Sequence, residues 1–291
     1  MRIATYRAGG RRHDGQVSPD GLHVTPFELT AQDAERAAMP LIEAAAAGGQ
    51  LPPLVSSATV PLASVRLEAP LPVPRRNIWC VGRNYHAHAK ELAASVFKDN
   101  SATVNEWPIV FTKAPETVVG PTDPVALPGA AISEQIDYEA ELAVVIGKGG
   151  KNISRTAAME HVWGYTIVND VTARDVQMRH QQWDMGKSFD TFCPMGPWIV
   201  TADEMDGRKT HVRCWVNGEL RQDAPTENMI FDIPTLIETV SRGITLLPGD
   251  LIATGTAAGV GMGFKPPRYL AAGDVVRIEV DGIGRIENKF A

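Results

Sequence analysis

From Ile136 to Gly147 the chain reads Ile-Asp-Tyr-Glu-Ala-Glu-Leu-Ala-Val-Val-Ile-Gly, an apolar run with an acid at every second position of its first half. A β-strand sends alternate side chains to opposite faces. Asp137, Glu139 and Glu141 are therefore expected on one face, with Ile136, Tyr138, Ala140 and Leu142 on the other. From Asn77 onward the pattern predicts strand, turn and strand, with few helices. Short apolar strands are expected at 78–81, 108–113, 162–168, 198–200, 212–216 and 275–280. Asn217-Gly218 marks a tight hairpin turn. Helices are expected over 85–94, 171–182 and 233–241, the last with Pro234 in its first turn. Residues 98–106 are polar and unpatterned, which predicts a loop that orders as a lid over substrate.

The first 70 residues read differently. Residues 3–7 and 21–26 predict short strands around a hairpin, and the Ala-rich stretch 31–47 predicts a helix. Gly48-Gly49 and Pro52-Pro53 break it. Residues 65–74 are extended and punctuated by proline, as in a bridge between domains. The expected organisation is a small N-terminal α+β domain over 1–70 and a larger domain over 71–291.

Composition narrows the class. The 26 Gly and 21 Pro among 291 residues favour turns and short strands over a helical bundle. A net charge of -6 argues against a nucleic-acid partner. No apolar run reaches the length of a membrane span, and the residues after Met1 lack the apolar region of a signal peptide. Cys80, Cys193 and Cys214 are far apart, with no CxxC pair, and are expected to be reduced packing residues. Together these features place the chain in the cytoplasm.

Candidate chemistry follows from the acids. Carboxylates two apart on a strand lie within ~7 Å of each other, and their repulsion in a half-buried place calls for a cation. Glu139 and Glu141 are then half of a hard-metal site, or the outer face of a solvated edge strand. Asp170 ends the apolar strand Gly-Tyr-Thr-Ile-Val-Asn-Asp, as a further ligand or as the N-cap of the next helix. Arg174 and Gln177 fall on one face of that helix and suit a carboxylate, although Arg174 can equally pair with Asp170 or Asp175. His88 and Glu91, three apart, form a possible base dyad, or belong to an exposed mixed helix; His86 competes without an acid at that spacing. Lys187 follows Gly186 and either steadies an oxyanion or is a surface lysine. The turn Gly255-Thr256-Ala257-Ala258-Gly259-Val260-Gly261 offers backbone N–H groups to a carboxylate, or is a plain turn. No phosphate-loop or dinucleotide spacing is present.

These pieces occur in a recognisable order: Gly82-Arg83-Asn84-Tyr85 with His88-x-x-Glu91, then Glu139-x-Glu141, then Asn169-Asp170-Val171-Thr172-Ala173-Arg174-Asp175. Gly186-Lys187-Ser188-Phe189-Asp190 follows, then Pro248-Gly249-Asp250 with Gly255-Thr256. From about residue 77 to 291 the chain resembles the fumarylacetoacetate hydrolase family. The resemblance implies a mixed, mainly-β fold: a rolled, partly closed β-barrel with peripheral helices. It implies a divalent metal, Mg2+ or else Mn2+ or Ca2+, on Glu139, Glu141 and Asp170. It implies His88 with Glu91 as the water-activating pair, Lys187 as stabiliser of negative charge, and Arg174, Gln177 and Thr256 as substrate contacts. It also implies a homodimer and a 2-oxo or 2,4-dioxo acid substrate. The expected activity is C–C bond hydrolysis of an acylpyruvate or fumarylpyruvate. Isomerisation or tautomerisation of 2-hydroxy-dienoic diacids, or decarboxylation of oxaloacetate, are the alternatives on the same scaffold. One departure is visible: Ala257 stands where many members carry proline.

Overall fold

The computed structural model describes residues 1–93, 106–179 and 182–291. The lid expected over 98–106 thus lies, apart from Glu106, outside the described residues. The fold is mainly β. A 12-stranded sheet runs, in hydrogen-bonded order, through Val60–Pro61, His23–Pro26, Arg11–Val17, Arg2–Ala8, Cys193–Thr201, Val162–Asn169, Ala140–Ile146, Leu251–Ala253, Ile78–Gly82 and Ile109–Lys113. Two short strands, Arg66–Glu68 and Val118–Val119, pair alongside. Neighbours along this path are antiparallel except Leu251–Ala253 with Ile78–Gly82. The first strand enters the same sheet as the later ones, with Arg2 opposite Val200 and Ile3 opposite Ile199.

A separate antiparallel sheet holds Glu219–Pro225, His211–Val216, Val275–Val280 and Gly284–Lys289. Its hairpin turns at Asn217-Gly218 as expected, both residues having positive φ, 51° and 81°. That is the conformation a two-residue turn of this kind requires.

Strand Ala140–Ile146 is buried along its whole length. Leu142, Val144 and Ile146 belong to a core with Val212, Cys214 and Ile278 of the four-stranded sheet. Ala143 and Val145 belong to a second core with Leu41, Ile42 and Ile199. Each fully buried branched side chain contributes roughly 1.5–3 kcal/mol, so this strand is the anchor of the fold.

Three expectations are corrected, and one strand has no counterpart among them. The acidic strand is not continuous: Ile136–Asp137 forms a separate bridge with Thr172–Ala173, and the long strand begins at Ala140. Asp137 therefore does not line up with Glu139 and Glu141. The helix expected from 171 begins only at Arg174 and runs to Arg179, because Thr172 and Ala173 are spent on that bridge. The Ala-rich stretch splits into Ala31–Ala34 and Met39–Ala46, with Ala37 left-handed between them at φ 55°. Strand Arg11–Val17 was not expected from its polar sequence. It forms because all seven residues pair with Arg2–Ala8. No helix among the described residues is long and apolar enough to cross a membrane.

Candidate functional site

Strand register brings the acids together. Ala140–Ile146 runs antiparallel to Val162–Asn169, with Ala140 opposite Asn169. The start of one strand therefore meets the end of the other. Glu139 N–H donates to Asn169 Oδ1 at 3.0 Å, and Asp170 N–H donates to the Glu139 carbonyl at 2.9 Å. Glu139, Glu141 and Asp170 are all buried, and one carboxylate oxygen from each lies within 4.8 Å of the others. The solvated-edge alternative is thereby excluded for Glu139 and Glu141. Asp170 is not a helix cap either, since its side chain faces two ammonium groups.

Those groups are Lys187, whose Nζ donates to Asp170 Oδ2 at 2.7 Å and Glu139 Oε2 at 2.8 Å, and Lys113, 2.9 Å from Asp170 Oδ1. Lys187 closes the short helix Asp184–Lys187, which packs on the preceding helix Arg174–Arg179 so tightly that a Cβ at Gly186 would lie 2.5 Å from Gln177 N. It is a buried lysine, not a surface one. Arg174 bridges Asp137 Oδ2 at 2.9 Å and Glu139 Oε1 at 2.7 Å, and donates to Gln177 Oε1 at 3.2 Å. It pairs with neither Asp170 nor Asp175.

His88 and Glu91 lie on helix His86–Ala93, with His88 Nδ1 3.0 Å from Glu91 Oε2. His88 is buried and lines the pocket, whereas His86 is exposed. The Gly-rich turn does bind carboxylates, but they are the protein's own. Gly255 N–H donates to Glu141 Oε2 at 2.8 Å, Gly259 N–H to Glu91 at 3.1 Å, and Gly261 and Met262 N–H to the two oxygens of Asp137 at 2.6 and 3.0 Å. Gly255 has φ 100°, and a Cβ there would lie 2.7 Å from Asn84 Cβ. Thr256 lines the pocket, with its hydroxyl donating to the Ala140 carbonyl at 3.0 Å and accepting from Gln222 Nε2 at 2.7 Å.

The pocket joins most of the candidates. Its lining includes His88, Glu139, Arg174, Gln177, Lys187 and Thr256, with Glu141 and Asp170 behind them. It also includes Val81, Gly82, Arg83, Phe111 and Trp183. Sequence patterning gave Phe111 and Lys113 only as part of a strand. A lysine ending the apolar run Ile-Val-Phe-Thr was the available signal. Asp250 of the Pro-Gly-Asp motif lies elsewhere, ion-paired to Arg76, and accepts from Leu247 N–H at 2.7 Å.

Charge decides what this site accommodates. Burial raises the Glu139 carboxyl, but the Lys187 and Arg174 cations beside it outweigh burial and bring it down to about 2. Glu141 goes the other way. Burial, followed by the charges of Asp170 and Glu139, pushes it well above the usual carboxylate range. Burial opposes the charged form of Lys187, yet Asp170 and Glu139 raise it and keep it an ammonium. Three hard oxygen donors, one of them short of positive charge, suit a divalent cation such as magnesium, manganese or calcium. Their separation is one that metal–oxygen bonds span with little movement.

The chain is similar to known proteins in both sequence and fold. The family model for the fumarylacetoacetate (FAA) hydrolase C-terminal domain matches residues 77–291. Oxaloacetate tautomerase YisK of Bacillus subtilis (strain 168) is 50% identical over 230 residues, 79% of this chain and 74% of that protein. A solved fumarylacetoacetate hydrolase from psychrophilic Exiguobacterium antarcticum superposes with TM-score 0.84 at 41% identity, covering 100% of this chain and 99% of that one. Maleylpyruvate hydrolase from Sphingobium sp. SYK-6, solved with manganese(II) and pyruvate, superposes with TM-score 0.77 at 32% identity, again covering 100% and 99%.

Proposed function

The chain belongs to the fumarylacetoacetate hydrolase family, and from that premise we propose that it is a divalent-metal-dependent keto–enol tautomerase of a short 2-oxo diacid of the oxaloacetate type. The observation that carries this is one proton carrier, His88, sharing a narrow pocket with two buried cations, Lys187 and Arg174, in front of the acidic triad. The 50% identity with a protein named as an oxaloacetate tautomerase supports it.

Tautomerisation needs a base at the carbon beside the keto group and stabilisation of the charge that develops on oxygen. Glu91 holds His88 through Nδ1, leaving Nε2 as the nitrogen for proton transfer at that carbon. Lys187 spends two of its three donors on Glu139 and Asp170. The third is available to the substrate oxygen. Arg174, anchored on Asp137 and Glu139, presents a fixed guanidinium to a substrate carboxylate. Glu139, Glu141 and Asp170 would hold a divalent cation, magnesium in the first instance, which would supply Lewis acidity to the 2-oxo acid end.

C–C hydrolysis of an acylpyruvate, the activity expected first from sequence, is the second reading. It is favoured by the likeness to a maleylpyruvate hydrolase and by the same His88–Glu91 pair, which can activate water as well as carbon. The test follows the enol ultraviolet band of oxaloacetate, and product formation from acylpyruvates, with wild type and His88→Ala. Metal-dependent tautomerisation that falls about 100-fold or more in the variant supports the proposal. Acylpyruvate cleavage outpacing tautomerisation puts hydrolysis in its place.

A further inference from the structure

We infer that Trp183, held in place by Gly82, is a specificity-determining residue that limits the pocket to short 2-oxo acids and turns away bulky acyl groups. This rests on the 2-oxo acid reading above.

The apolar part of the pocket wall is made by Val81, Gly82, Phe111 and Trp183. Gly82 ends strand Ile78–Gly82, and a Cβ added there would lie 2.4 Å from Trp183 Cζ3 and 2.9 Å from Cη2. The far edge of the indole therefore rests against the Gly82 backbone. Phe111 meets the same indole edge-on, with ring centroids 5.2 Å apart and planes at 63°. The Phe111 ring also carries the Lys187 ammonium 4.9 Å from its centroid. Trp183 itself directly precedes the helix Asp184–Lys187. It is thus four residues from Lys187 in sequence and tied to it in space through Phe111.

The indole is thus packed between the Gly82 backbone and the ring that carries the Lys187 ammonium. The empty space within this lining is about 320 Å³, part of it open to solvent. A wall that is packed and apolar on one side, with charges fixed on the other, selects by length. A compact 2-oxo acid engages the charged side without displacing the indole. An aromatic or branched acyl group meets it.

Calorimetry on the metal-loaded full chain gives the test, using oxalate as the compact ligand and benzoylpyruvate as the bulky one. The proteins are wild type, Trp183→Ala and Trp183→Phe. Wild type is expected to bind oxalate and discriminate against benzoylpyruvate. Trp183→Ala should leave oxalate affinity within about threefold and tighten benzoylpyruvate by about 10-fold or more, the scale at which pocket volume discriminates. Trp183→Phe should fall between. Should Trp183→Ala not fold, Trp183→Phe against wild type is read by the same ratio. Oxalate binding with an unchanged ratio in the variants overturns the role of Trp183 alone. Failure of metal-loaded wild type to bind oxalate overturns the 2-oxo acid reading beneath it.

Discussion

Lys113→Met isolates the balance of charge behind the acidic triad. Lys113 is fully buried at the end of strand Ile109–Lys113. Its ammonium is 2.9 Å from Asp170 Oδ1, donates to the Val171 carbonyl at 3.1 Å, and also donates to the Lys187 carbonyl. Methionine keeps most of the volume and removes the charge. Asp170 is then left buried against Lys187 alone. Breaking a buried ion pair from one side costs about 3–5 kcal/mol. For a chain of this size that is roughly a 5–8 °C fall in Tm. The loss should be largest with chelator present, because a divalent cation beside Asp170 replaces part of the missing charge. It also no longer meets the repulsion of the Lys113 ammonium. Thermal melts of wild type and variant, each with EDTA and with saturating magnesium, give the comparison. The metal-induced rise in Tm is expected to be larger in Lys113→Met by several degrees. An equal or smaller rise would refute the placement of the cation among Glu139, Glu141 and Asp170.

Other consequences are simpler. Glu141→Gln should lower magnesium affinity, read by calorimetry, by on the order of 100-fold while the protein stays folded, since the Gly255 N–H retains an oxygen to donate to. Undiminished affinity would remove Glu141 from the ligand set. In the N-terminal part, Asp14 is buried against Thr5, and burial pushes its carboxyl up to about 7, against the lowering effects of the Thr5 hydroxyl and Arg12. The folded state then holds a proton that the unfolded state releases near 3.8, so Asp14 costs stability progressively as pH rises from about 4 to 7. The full difference is on the order of 4 kcal/mol. Asp14→Asn should therefore gain stability at pH 8 relative to wild type and little at pH 4, by urea denaturation. A gain that does not grow with pH would contradict this.

How much was legible in the sequence follows from which forces are local. The alternation that singled out Glu139 and Glu141 survives because strand period is a backbone property. Asp170 was found because an apolar strand ran directly into it. Asp137 obeyed the same alternation and still left the row, because its carboxylate is held by the Gly261 and Met262 N–H groups and Arg174, more than thirty residues away in sequence. The late start of the helix at Arg174 has the same cause, since Thr172 is taken by pairing with Asp137. Lys113 was hidden because nothing local distinguishes a lysine at a strand end from one that is fully buried against Asp170. The Gly-rich turn, which the sequence leaves open between a carboxylate binder and a plain turn, holds the protein's own carboxylates. That its partners would be Glu141, Glu91 and Asp137 depended on packing across the fold.

The central claim is proton transfer at carbon, and it is tested most directly by following oxaloacetate in D2O by NMR. Metal-loaded protein is expected to speed deuterium entry at the carbon beside the keto group well above the spontaneous rate, before any pyruvate appears, and His88→Ala to lose that acceleration while still binding magnesium. Deuterium entry at the spontaneous rate, or pyruvate appearing in step with it, would contradict the account.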